Sequence, residues 1–362
     1  RLNLFKIDPS LCGEVLLLER AVHPREKVCA GGLIPHTMSC LGRLEIPLNI
    51  PHAKVENAFI KTPSGNVRVS GQGEMCTIVR RNEFDHYLVE EAKIRGARVR
   101  ESEKVIGLMR ESNGTRIETD KCTYLARVVI GADGSGSRTR RELVRRSQEP
   151  AGKGIMCDIP IADSGWAGFS ERRFDFNFAP VRIGLGGYLW KFPCIINEIP
   201  HMNIGIYSVA DRSLSNADLK TLLMEELREA GYCPPTDLQR HFRSFPIFGH
   251  NTKRPMAAPG VLLVGDAAGA EPLMGEGISF AFEHGVFAAN AIIAALRRKD
   301  FSFADYTDRF SSSWVGTKMN RLCFASRLFY GPSWSIWFKI ATRSRTAPIA
   351  RPEVVQWDGR LG

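Results

Sequence analysis

Several features that mark common protein classes are missing from this sequence. Its nine cysteines are dispersed and never form a Cys-x-x-Cys pair, which argues against a disulfide framework and against a structural zinc site. We find no apolar run of transmembrane length and no signal peptide. We therefore expect a protein of the reducing cytoplasm that binds no metal.

Length and composition indicate a globular protein larger than one average domain. The chain has 362 residues, of which 44% are hydrophobic and 24% are charged, so we expect two closely packed lobes. A net charge of +10 suits an anionic partner such as a phosphorylated cofactor, an acidic lipid surface or nucleic acid. No basic-aromatic repeat or zinc-finger spacing favours nucleic acid.

The most informative segment reads as a strand, a glycine-rich turn and a helix in succession. The apolar run Val261–Val264 predicts a buried strand, and the Ala-rich pattern Ile278–Leu296 predicts a helix. The helix N-terminus offers backbone N–H groups to an anionic or electron-rich ligand. Asp266 is placed to accept hydrogen bonds from ligand hydroxyls, while Gly275 and Gly277 let a flat ring approach the backbone.

This segment resembles the second FAD-binding motif of flavoproteins of the p-hydroxybenzoate hydroxylase type, most closely the geranylgeranyl reductase branch. The resemblance implies an α/β fold with a Rossmann-like FAD-binding lobe of discontinuous segments, an antiparallel β-sheet substrate lobe and C-terminal helices. An ordinary parallel-sheet crossover with a glycine-rich loop is the alternative. The FAD contacts that the resemblance implies in this segment are Gly265, Asp266, Pro272, Gly275, Gly277 and Ile278.

A second candidate lies near the start of the chain, where Gly13–Arg20 reads as a strand that ends in an acid. In a dinucleotide-binding fold the acid closing the second strand bonds the adenosine ribose hydroxyls, so Glu19, with Arg20 beside it, is the candidate ribose site. A strand-end glutamate exposed on the surface is the alternative.

The glycine-rich turn that usually precedes that acid is absent from this sequence. A G-x-G-x-x-G turn is expected roughly 20 residues before it, yet Arg1–Cys12 contains no glycine. Either the N-terminus is truncated or the chain is a relic that binds FAD poorly. We favour truncation, because the remaining motifs are intact.

The segment from His23 to Leu33 resembles the family's Pro-Arg-x-Lys-x-Cys-x-Gly-Gly-Leu sequence, which runs past the flavin face. Gly31 and Gly32 would permit backbone approach to the ring. The resemblance places Cys29 close to the isoalloxazine, and we take it as the candidate proton relay. A buried inert thiol, with a flavin-bound water as the proton source, is the alternative.

Two further motifs occur in the family's order. Arg81, Phe84 and Asp85 match its Arg-x-x-Phe-Asp motif, which implies that Arg81 reaches cofactor phosphate or the flavin edge; Phe84 is expected in the core. Residues 124–130 predict one buried strand that runs into a motif resembling the Asp-Gly motif of flavin hydroxylases. Asp133 and Gly134 are thereby implied to lie near the cofactor pyrophosphate.

Apolar and polar residues alternate in the region from residue 152 to 248, which is also rich in aromatics and glycine. This pattern predicts a β-sheet lobe interrupted by a helix at residues 216–230. Ser215 is the predicted N-cap of this helix and Gly231 its C-terminal stop. We predict an FAD-binding lobe of residues 1–50, 75–150 and 255–300, a substrate lobe of residues 51–74 and 151–254, and a C-terminal helical tail of residues 301–362.

The candidate substrate site is an aromatic strand within this region. Tyr188, Trp190 and Phe192 share one face by the period-two alternation of a strand and form a wall suited to a flat or polyene ligand, and Pro193 is expected to end the strand. The segment resembles the Tyr-x-Trp-x-Phe-Pro motif of geranylgeranyl reductases with its downstream Asn-x-Gly, here ending at Gly205. A core aromatic stripe is the alternative.

The tail from residue 297 onward holds twelve Lys or Arg against five Asp or Glu, interleaved with aromatics. Such a segment fits either an anionic bilayer surface or an amphipathic helix pair that caps the substrate lobe. Peripheral membrane contact therefore stays an open alternative.

The implied reaction is flavin-mediated reduction of carbon–carbon double bonds in a prenyl chain, with FAD as cofactor and a geranylgeranyl lipid or small molecule as substrate. NAD(P)H and ferredoxin are both open as electron donors. Two other functions compete. One is a flavin monooxygenase or halogenase on the same fold, although the Trp-x-Trp-x-Ile-Pro segment typical of halogenases is missing. The other is a folded remnant without flavin.

Overall fold

The computed structural model of the protein describes residues 13–71, 73–144, 152–161, 166–210, 214–232 and 238–343. The segment Arg1–Cys12, in which the glycine-rich loop was sought, lies outside the described residues. The strands are β1 (Leu16–Leu18), β2 (Gly32–Leu33), β3 (His52–Val55), β4 (Asn57–Thr62), β5 (Gly65–Ser70), β6 (Cys76–Val79), β7 (Arg98–Arg100), β8 (Val105–Glu111), β9 (Gly114–Thr119), β10 (Thr123–Ala126), β11 (Val129–Gly131), β12 (Gly152–Pro160), β13 (Arg173–Asn177), β14 (Gly187–Ile196), β15 (Ile199–Ser208), β16 (Arg243–Ile247), β17 (Ala257–Ala258) and β18 (Val261–Leu263). The α-helices are α1 (Pro35–Arg43), α2 (Arg81–Ile94), α3 (Ala167–Ser170), α4 (Asn216–Glu229), α5 (Ile278–Arg298), α6 (Tyr306–Ser312), α7 (Trp314–Phe329) and α8 (Trp334–Arg343).

Two parallel strand pairs form the α/β part of the molecule. β1 pairs with β7, and β11 pairs with β18 so that Val129 lies opposite Val261. The apolar run of β18 is fully buried, as expected for a strand covered on both faces. α5 packs on this part through Phe280 and Ile292. Parallel strands with covering helices confirm the predicted α/β architecture.

A seven-stranded sheet forms the second part, with the strand order β16-β12-β15-β14-β13-β4-β5. Its neighbours are antiparallel except for β13 and β4, which run parallel with Arg173 opposite Asn57. The prediction of a wholly antiparallel sheet is therefore wrong at one position. The parallel pair arises because β4 enters this sheet from a distant part of the chain.

Two strand predictions also need correction. Pro193 does not end a strand, because β14 continues to Ile196. Proline lacks an N–H and therefore cannot donate a hydrogen bond to a neighbouring strand. On the β13 side of β14 the pairing ends at Lys191, so no neighbouring strand there requires a donor from Pro193. Residues 124–130 form two strands rather than one: β10 pairs with β9, and β11 pairs with β18 in another sheet.

Locally encoded elements agree with the sequence. Ser215 caps α4 by accepting a hydrogen bond from the Asp218 N–H at 3.2 Å, and Gly231 follows the helix with a φ of 79°. The β4–β5 hairpin turns at Pro63-Ser64, two residue types that favour turns. In contrast, β3 pairs with β6, which links segments that we had assigned to different lobes, so the lobe boundaries stay a prediction.

One described helix has the length and apolar composition of a membrane span, contrary to the expectation that no segment would. This helix is α5, and 56% of the relevant stretch is buried inside the protein. Its side chains Phe280, Ala288 and Ile292 belong to a buried cluster with β18. We therefore describe α5 as a core helix.

The C-terminal helices cover the aromatic side of the large sheet. The Phe338 ring of α8 lies 5.7 Å from the ring of Phe178 and 5.2 Å from that of Phe329, at the end of α7. Phe178 in turn lies 5.2 Å from Tyr188 on β14. The predicted helical tail therefore packs directly on the candidate substrate strand.

Candidate functional site

The segment between β1 and β2 connects two of the predicted cofactor residues. Arg25 donates from Nε to Glu19 Oε2 at 3.3 Å, and Lys27 Nζ lies 4.0 Å from Asp266 Oδ2. Glu19 stands at the end of β1, and Asp266 stands directly after β18. Two residues that are far apart in the sequence therefore contact the same short segment. Arg20, by contrast, is exposed.

The start of α2 lies beside the same segment. Arg81 binds Asp85 with two hydrogen bonds of 2.8 and 3.2 Å, and Arg25 reaches Asp85 at 3.7 Å. Burial alone would lower the pKa of Arg81, but the adjacent Asp85 carboxylate and Cys29 thiol raise it. Cys29 thus lies next to a permanently charged guanidinium, and its sulfur also accepts the Gly31 N–H at 3.4 Å.

A small pocket opens where this segment faces the large sheet. One wall comes from the motifs that we assigned to the cofactor, and the other comes from β12, β14 and β15. The lining residues are Glu26, Lys27, Cys29, Ala30, Val79, Arg80, Arg81, Asn82, Asp158, Cys194 and Asn203. The candidate catalytic thiol therefore lies between the two parts of the molecule.

A hydrogen-bonded chain connects this pocket with the aromatic strand. The Trp190 Nε1–H donates to Asn203 Oδ1 at 2.7 Å, and Asn203 Nδ2 donates to Asp158 Oδ1 at 2.7 Å. Arg80 Nη1 donates to the other oxygen of Asp158 at 2.6 Å. Because Trp190 and Asn203 are buried, this chain fixes the indole orientation relative to the pocket.

The aromatic strand is flanked by rings that the sequence interpretation did not include. Tyr188, Trp190 and Phe192 are all buried on one face of β14, as the alternation predicted. The Phe176 ring lies 5.3 Å from Tyr188 and 5.4 Å from Phe192, and Tyr207 lies 5.5 Å from Tyr188. The face is thus a continuous buried aromatic layer, and its contact with a long apolar ligand stays a prediction.

The loop between β18 and α5 is attached to that layer by tyrosine hydroxyls. Tyr207 donates to the carbonyl oxygen of Pro272 at 3.0 Å, and Tyr188 donates to that of Met274. Tyr330, after α7, donates to the carbonyl oxygen of Leu273 at 2.5 Å. The predicted cofactor loop and the predicted substrate face are therefore directly bonded.

The glycines of this loop have conformational reasons for their identity. Gly275 has a φ of 66°, and a Cβ there would contact the Tyr207 ring at 3.4 Å. Gly277 immediately precedes Ile278, the first residue of α5, and a Cβ on it would lie 3.1 Å from Asp266 Oδ1. The strand end, the loop and the helix N-terminus thus meet at Asp266.

The Asp-Gly motif lies at the end of the strand beside β18. Asp133 accepts hydrogen bonds from the Ser137 hydroxyl and from the Thr139 N–H, the latter at 2.9 Å, while Gly134 forms the turn with a φ of 77°. Arg140 connects this turn to the next loop by donating to the carbonyl oxygen of Ala267 at 2.7 Å. The Asp133 carboxylate therefore shapes its own turn next to the 265–268 segment.

Gly31 and Gly32 serve close packing of the protein itself. A Cβ on Gly31 would lie 1.9 Å from the carbonyl oxygen of Val79, and Gly31 has a φ of 76°. A Cβ on Gly32 would lie 3.2 Å from Cys76 Sγ and 3.5 Å from the Phe192 ring. Approach of these glycines to a flavin ring stays a prediction.

Sequence reasoning overlooked three residues of the site. Lys27 stood inside a quoted motif without being assigned a role, and Asp158 on β12 has no local signal. His284 on α5 accepts the Gly265 N–H on Nδ1 at 2.9 Å. Burial lowers the pKa of His284 to about 3, so the imidazole is neutral and acts as an acceptor.

A His-Cys-Glu cluster lies between α1 and α5, with possible ligand atoms of His36, Cys40 and Glu283 within 4.8 Å of one another. Its carboxylate already has partners: Arg43 and His36 bind Glu283, and Arg43 lies 3.0 Å from Cys40 Sγ. Burial opposes ionisation of Glu283, but His36 and Arg43 lower its pKa to about 2. We interpret the cluster as an ion-paired contact between helices.

Comparison with known proteins agrees with this geometry. A family model described as an FAD binding domain matches residues 13–168. The chain is 28% identical over 306 residues to the geranylgeranyl diphosphate reductase of Rhodobacter capsulatus, covering 78% of this chain and 70% of the relative. It is 26% identical over 318 residues to the digeranylgeranylglycerophospholipid reductase of Methanosarcina mazei, covering 84% and 75%.

A solved structure of a geranylgeranyl bacteriochlorophyll reductase-like protein from Thermoplasma acidophilum has the same fold. Its TM-score is 0.73 at 21% identity, with 90% of this chain and 84% of that chain covered. The chain is thus similar to members of the geranylgeranyl reductase family over most of its length. It is an FAD-dependent oxidoreductase, and it spans 62% to 78% of the length of the curated relatives that it matches.

The residues around the pocket fit the cofactor of this family. Arg80 Nε and Asn82 Oδ1 are buried polar atoms that have no hydrogen-bond partner among the described residues, and both side chains line the pocket. Buried groups of this kind normally have a partner, so a polar ligand is expected there. Asp266, with its side chain one-third exposed, is available to ligand hydroxyls.

Proposed function

We propose that this oxidoreductase saturates carbon–carbon double bonds of a geranylgeranyl or related prenyl chain. The observation that carries the proposal is the chain of contacts from Trp190 through Asn203 into the pocket lined by Cys29. The aromatic layer lies next to the residues that match the family's flavin motifs, and this neighbourhood supports an apolar substrate chain. The names of the Rhodobacter and Methanosarcina relatives support a prenyl substrate.

Each part of the site has a role in this proposal. Asp266 and Arg81 hold the cofactor, and the chemistry that reduced FAD supplies when bound is hydride transfer to an alkene carbon. Tyr188, Trp190 and Phe192 orient the prenyl chain and exclude water from it. Cys29 relays a proton to the neighbouring carbon, and the Arg81 guanidinium lies beside its sulfur.

The same proposal covers the remaining partners. The electron donor is NAD(P)H or a reduced ferredoxin. An activity assay that supplies only one of them at a time distinguishes the two. A prenyl lipid is dissolved in a bilayer, so we propose that the enzyme is cytoplasmic and meets the membrane from its surface.

A second candidate function is oxygen activation on the same fold. The flavin-dependent halogenase CmlS shares the fold with a TM-score of 0.62 at 21% identity, covering 88% of this chain and 59% of that chain. A monooxygenase or halogenase would consume oxygen once its flavin is reduced. The aromatic face of β14 favours alkene reduction over this candidate, because it provides an extended apolar surface.

The decisive experiment is an anaerobic assay of the yellow, flavin-loaded protein with geranylgeranyl diphosphate and chemically reduced flavin. Mass spectrometry is expected to show products that have gained one dihydrogen per saturated bond. A matched aerobic reaction should show no substrate-dependent oxygen consumption beyond the reoxidation of free flavin. Oxygenated or halogenated product, with no saturated product, would establish the second candidate instead.

A further inference from the structure

The two last described helices expose large apolar side chains to solvent. On α8, Ile336 and Ile340 are 57% and 52% exposed. On α7, Trp314 and Phe324 are 51% and 62% exposed. Isolated surface hydrophobics are common, but these four are concentrated within one short part of the chain.

Helical periodicity separates these side chains from the packed face. Ile336 and Ile340 are four residues apart and therefore share one side of α8, whereas Phe338 points to the opposite side and is buried. On α7, Trp314 and Phe324 lie about 80° apart around the helix axis, and both point away from the buried Met319 and Cys323. Each helix thus has an inner face in the protein and an apolar outer face.

The same outer faces carry positive charge without acids. From Arg309 to Arg343 the sequence contains no Asp or Glu. Arg321 and Arg327 on α7 and Lys339 on α8 are exposed. Exposed apolar side chains interleaved with Lys and Arg are the pattern of helices that lie in the interface of an anionic bilayer.

We propose that the outer faces of α7 and α8 dock on the surface of an anionic lipid bilayer. Charge favours this occupant over a second copy of the chain, because a symmetric dimer would bring two acid-free cationic faces together. The biological purpose of this docking rests on the proposed prenyl function, because prenyl substrates reside in the bilayer. Its physical basis is the exposed apolar and cationic surface alone.

The docked orientation would also connect the bilayer with the site. The inner face of α8 contacts Phe178 through Phe338 at 5.7 Å, and Phe178 contacts Tyr188 at 5.2 Å. One helix therefore separates the proposed bilayer surface from the aromatic layer of β14. A prenyl chain leaving the bilayer beside α8 would meet that layer first.

The test is sedimentation of the flavin-loaded full chain with phosphatidylcholine vesicles, with and without added phosphatidylglycerol. Wild type is expected to bind only the anionic vesicles, and added salt should weaken binding. The variant Arg321→Glu/Lys339→Glu should bind roughly 25-fold or more weakly, because each cation near such a surface contributes about fivefold in affinity. The variant Ile336→Ser/Ile340→Ser should lose roughly tenfold through lost apolar burial.

Matched changes elsewhere serve as controls. Ile94→Ser alters an exposed apolar side chain at the end of α2, and Lys104→Glu reverses an exposed charge near β8. Both should bind vesicles like wild type. All variants should reduce detergent-dispersed substrate at the wild-type rate.

Several results would overturn the proposal: wild type that ignores anionic vesicles, outer-face variants that bind like wild type, or equal binding to neutral vesicles. A concentration-dependent dimer that dissociates on Ile336→Ser/Ile340→Ser would assign the surface to a second copy. Vesicle binding as expected without any alkene reduction in detergent would refute the proposed function and leave the docking surface standing.

Discussion

The indole of Trp190 donates to the side-chain oxygen of Asn203 at 2.7 Å, and this bond joins the aromatic face of β14 to the polar pocket. Asn203 lies opposite Phe192 in the β14–β15 register, so the indole reaches across to the neighbouring strand. Both side chains are buried. The bond therefore determines which edge of the indole faces the pocket and which faces an apolar ligand.

This relationship predicts different outcomes for two substitutions of Trp190. Trp190→Phe keeps a ring but leaves the Asn203 oxygen without its donor, which should cost about 1–3 kcal/mol of unfolding free energy. Trp190→Ala also opens a cavity and should cost about 3–5 kcal/mol. We expect KM for the prenyl substrate to rise in both, more in the alanine variant. Urea unfolding and steady-state kinetics measure these changes, and an unchanged KM in Trp190→Ala would remove this residue from the substrate site.

Gly205 provides the space for the same indole. A Cβ at this position would lie 2.2 Å from the Trp190 ring and 2.7 Å from the carbonyl oxygen of Ile155. Gly205→Ala should therefore destabilise the protein by about 1–3 kcal/mol and raise KM, because the ring must move. Gly285→Ala in α5 is the control: no atom lies within 4 Å of its added Cβ, and it should stabilise by about 0.5–1 kcal/mol. Equal thermal stability of the two variants would contradict this role of Gly205.

The role of Cys29 is tested by comparison with another thiol of the same pocket. If Cys29 relays the proton, Cys29→Ala should lower kcat by about 100-fold or more and leave KM nearly unchanged. Cys194→Ala removes a thiol from the opposite wall, next to Asp158, and should affect kcat little. Flavin absorbance should match wild type in both variants, so that a lower kcat cannot come from loss of cofactor. Wild-type turnover by Cys29→Ala at saturating substrate would favour a water as the proton source.

The parts of the fold that could be predicted are those whose contacts join residues close together in the sequence. The cap Ser215, the hairpin between β4 and β5 and the strand–turn–helix at Asp266 depend on neighbours in sequence, and the structure contains them. The parallel pairing of β4 with β13 depends on residues more than a hundred positions apart, and no local pattern encodes it. The break between β10 and β11 depends on which distant strand each one joins.

The same distinction applies to the site. Tyr188 and Trp190 could be grouped because strand alternation places them on one face. Asp158 could not be predicted, because its importance comes from Arg80 and Asn203 meeting it from two other elements. Motif resemblance supplied the cofactor candidates in family order, but it did not show that tyrosine hydroxyls bond the loop that follows Asp266.

The assignment of Asp266 to the cofactor predicts a loss of flavin that is independent of activity. Asp266→Ala removes an acceptor at the end of β18, and FAD affinity should fall by about tenfold or more. Asp308→Ala, at an exposed acid of α6, is the control and should retain the wild-type flavin content. Absorbance after gel filtration gives the bound flavin. Full retention of flavin by Asp266→Ala would exclude a direct contact.

The buried carboxyl group of Glu271 should make the unfolding free energy depend on pH in an unusual direction. Its carboxylate is buried in the loop and accepts the backbone N–H groups of Leu273 and Met274, the latter at 2.9 Å. Burial raises its pKa to about 7, against about 4.3 in an unfolded chain. Between these values the folded protein binds the extra proton, so this residue makes stability fall as pH rises from about 4.3 to about 7. The total loss is roughly 3–4 kcal/mol, and above about pH 7 the contribution is constant.

Glu271→Gln isolates this contribution, because the other titrating groups remain in both proteins. The glutamine keeps one acceptor and loses the second, so the variant should be less stable by about 1 kcal/mol at acidic pH. As pH rises toward neutrality, wild type loses stability and the variant does not, so their unfolding free energies should cross. Urea unfolding at a series of pH values measures the difference. A difference that stays constant from acid to neutral pH would show that Glu271 ionises in the folded protein as it does in the unfolded chain.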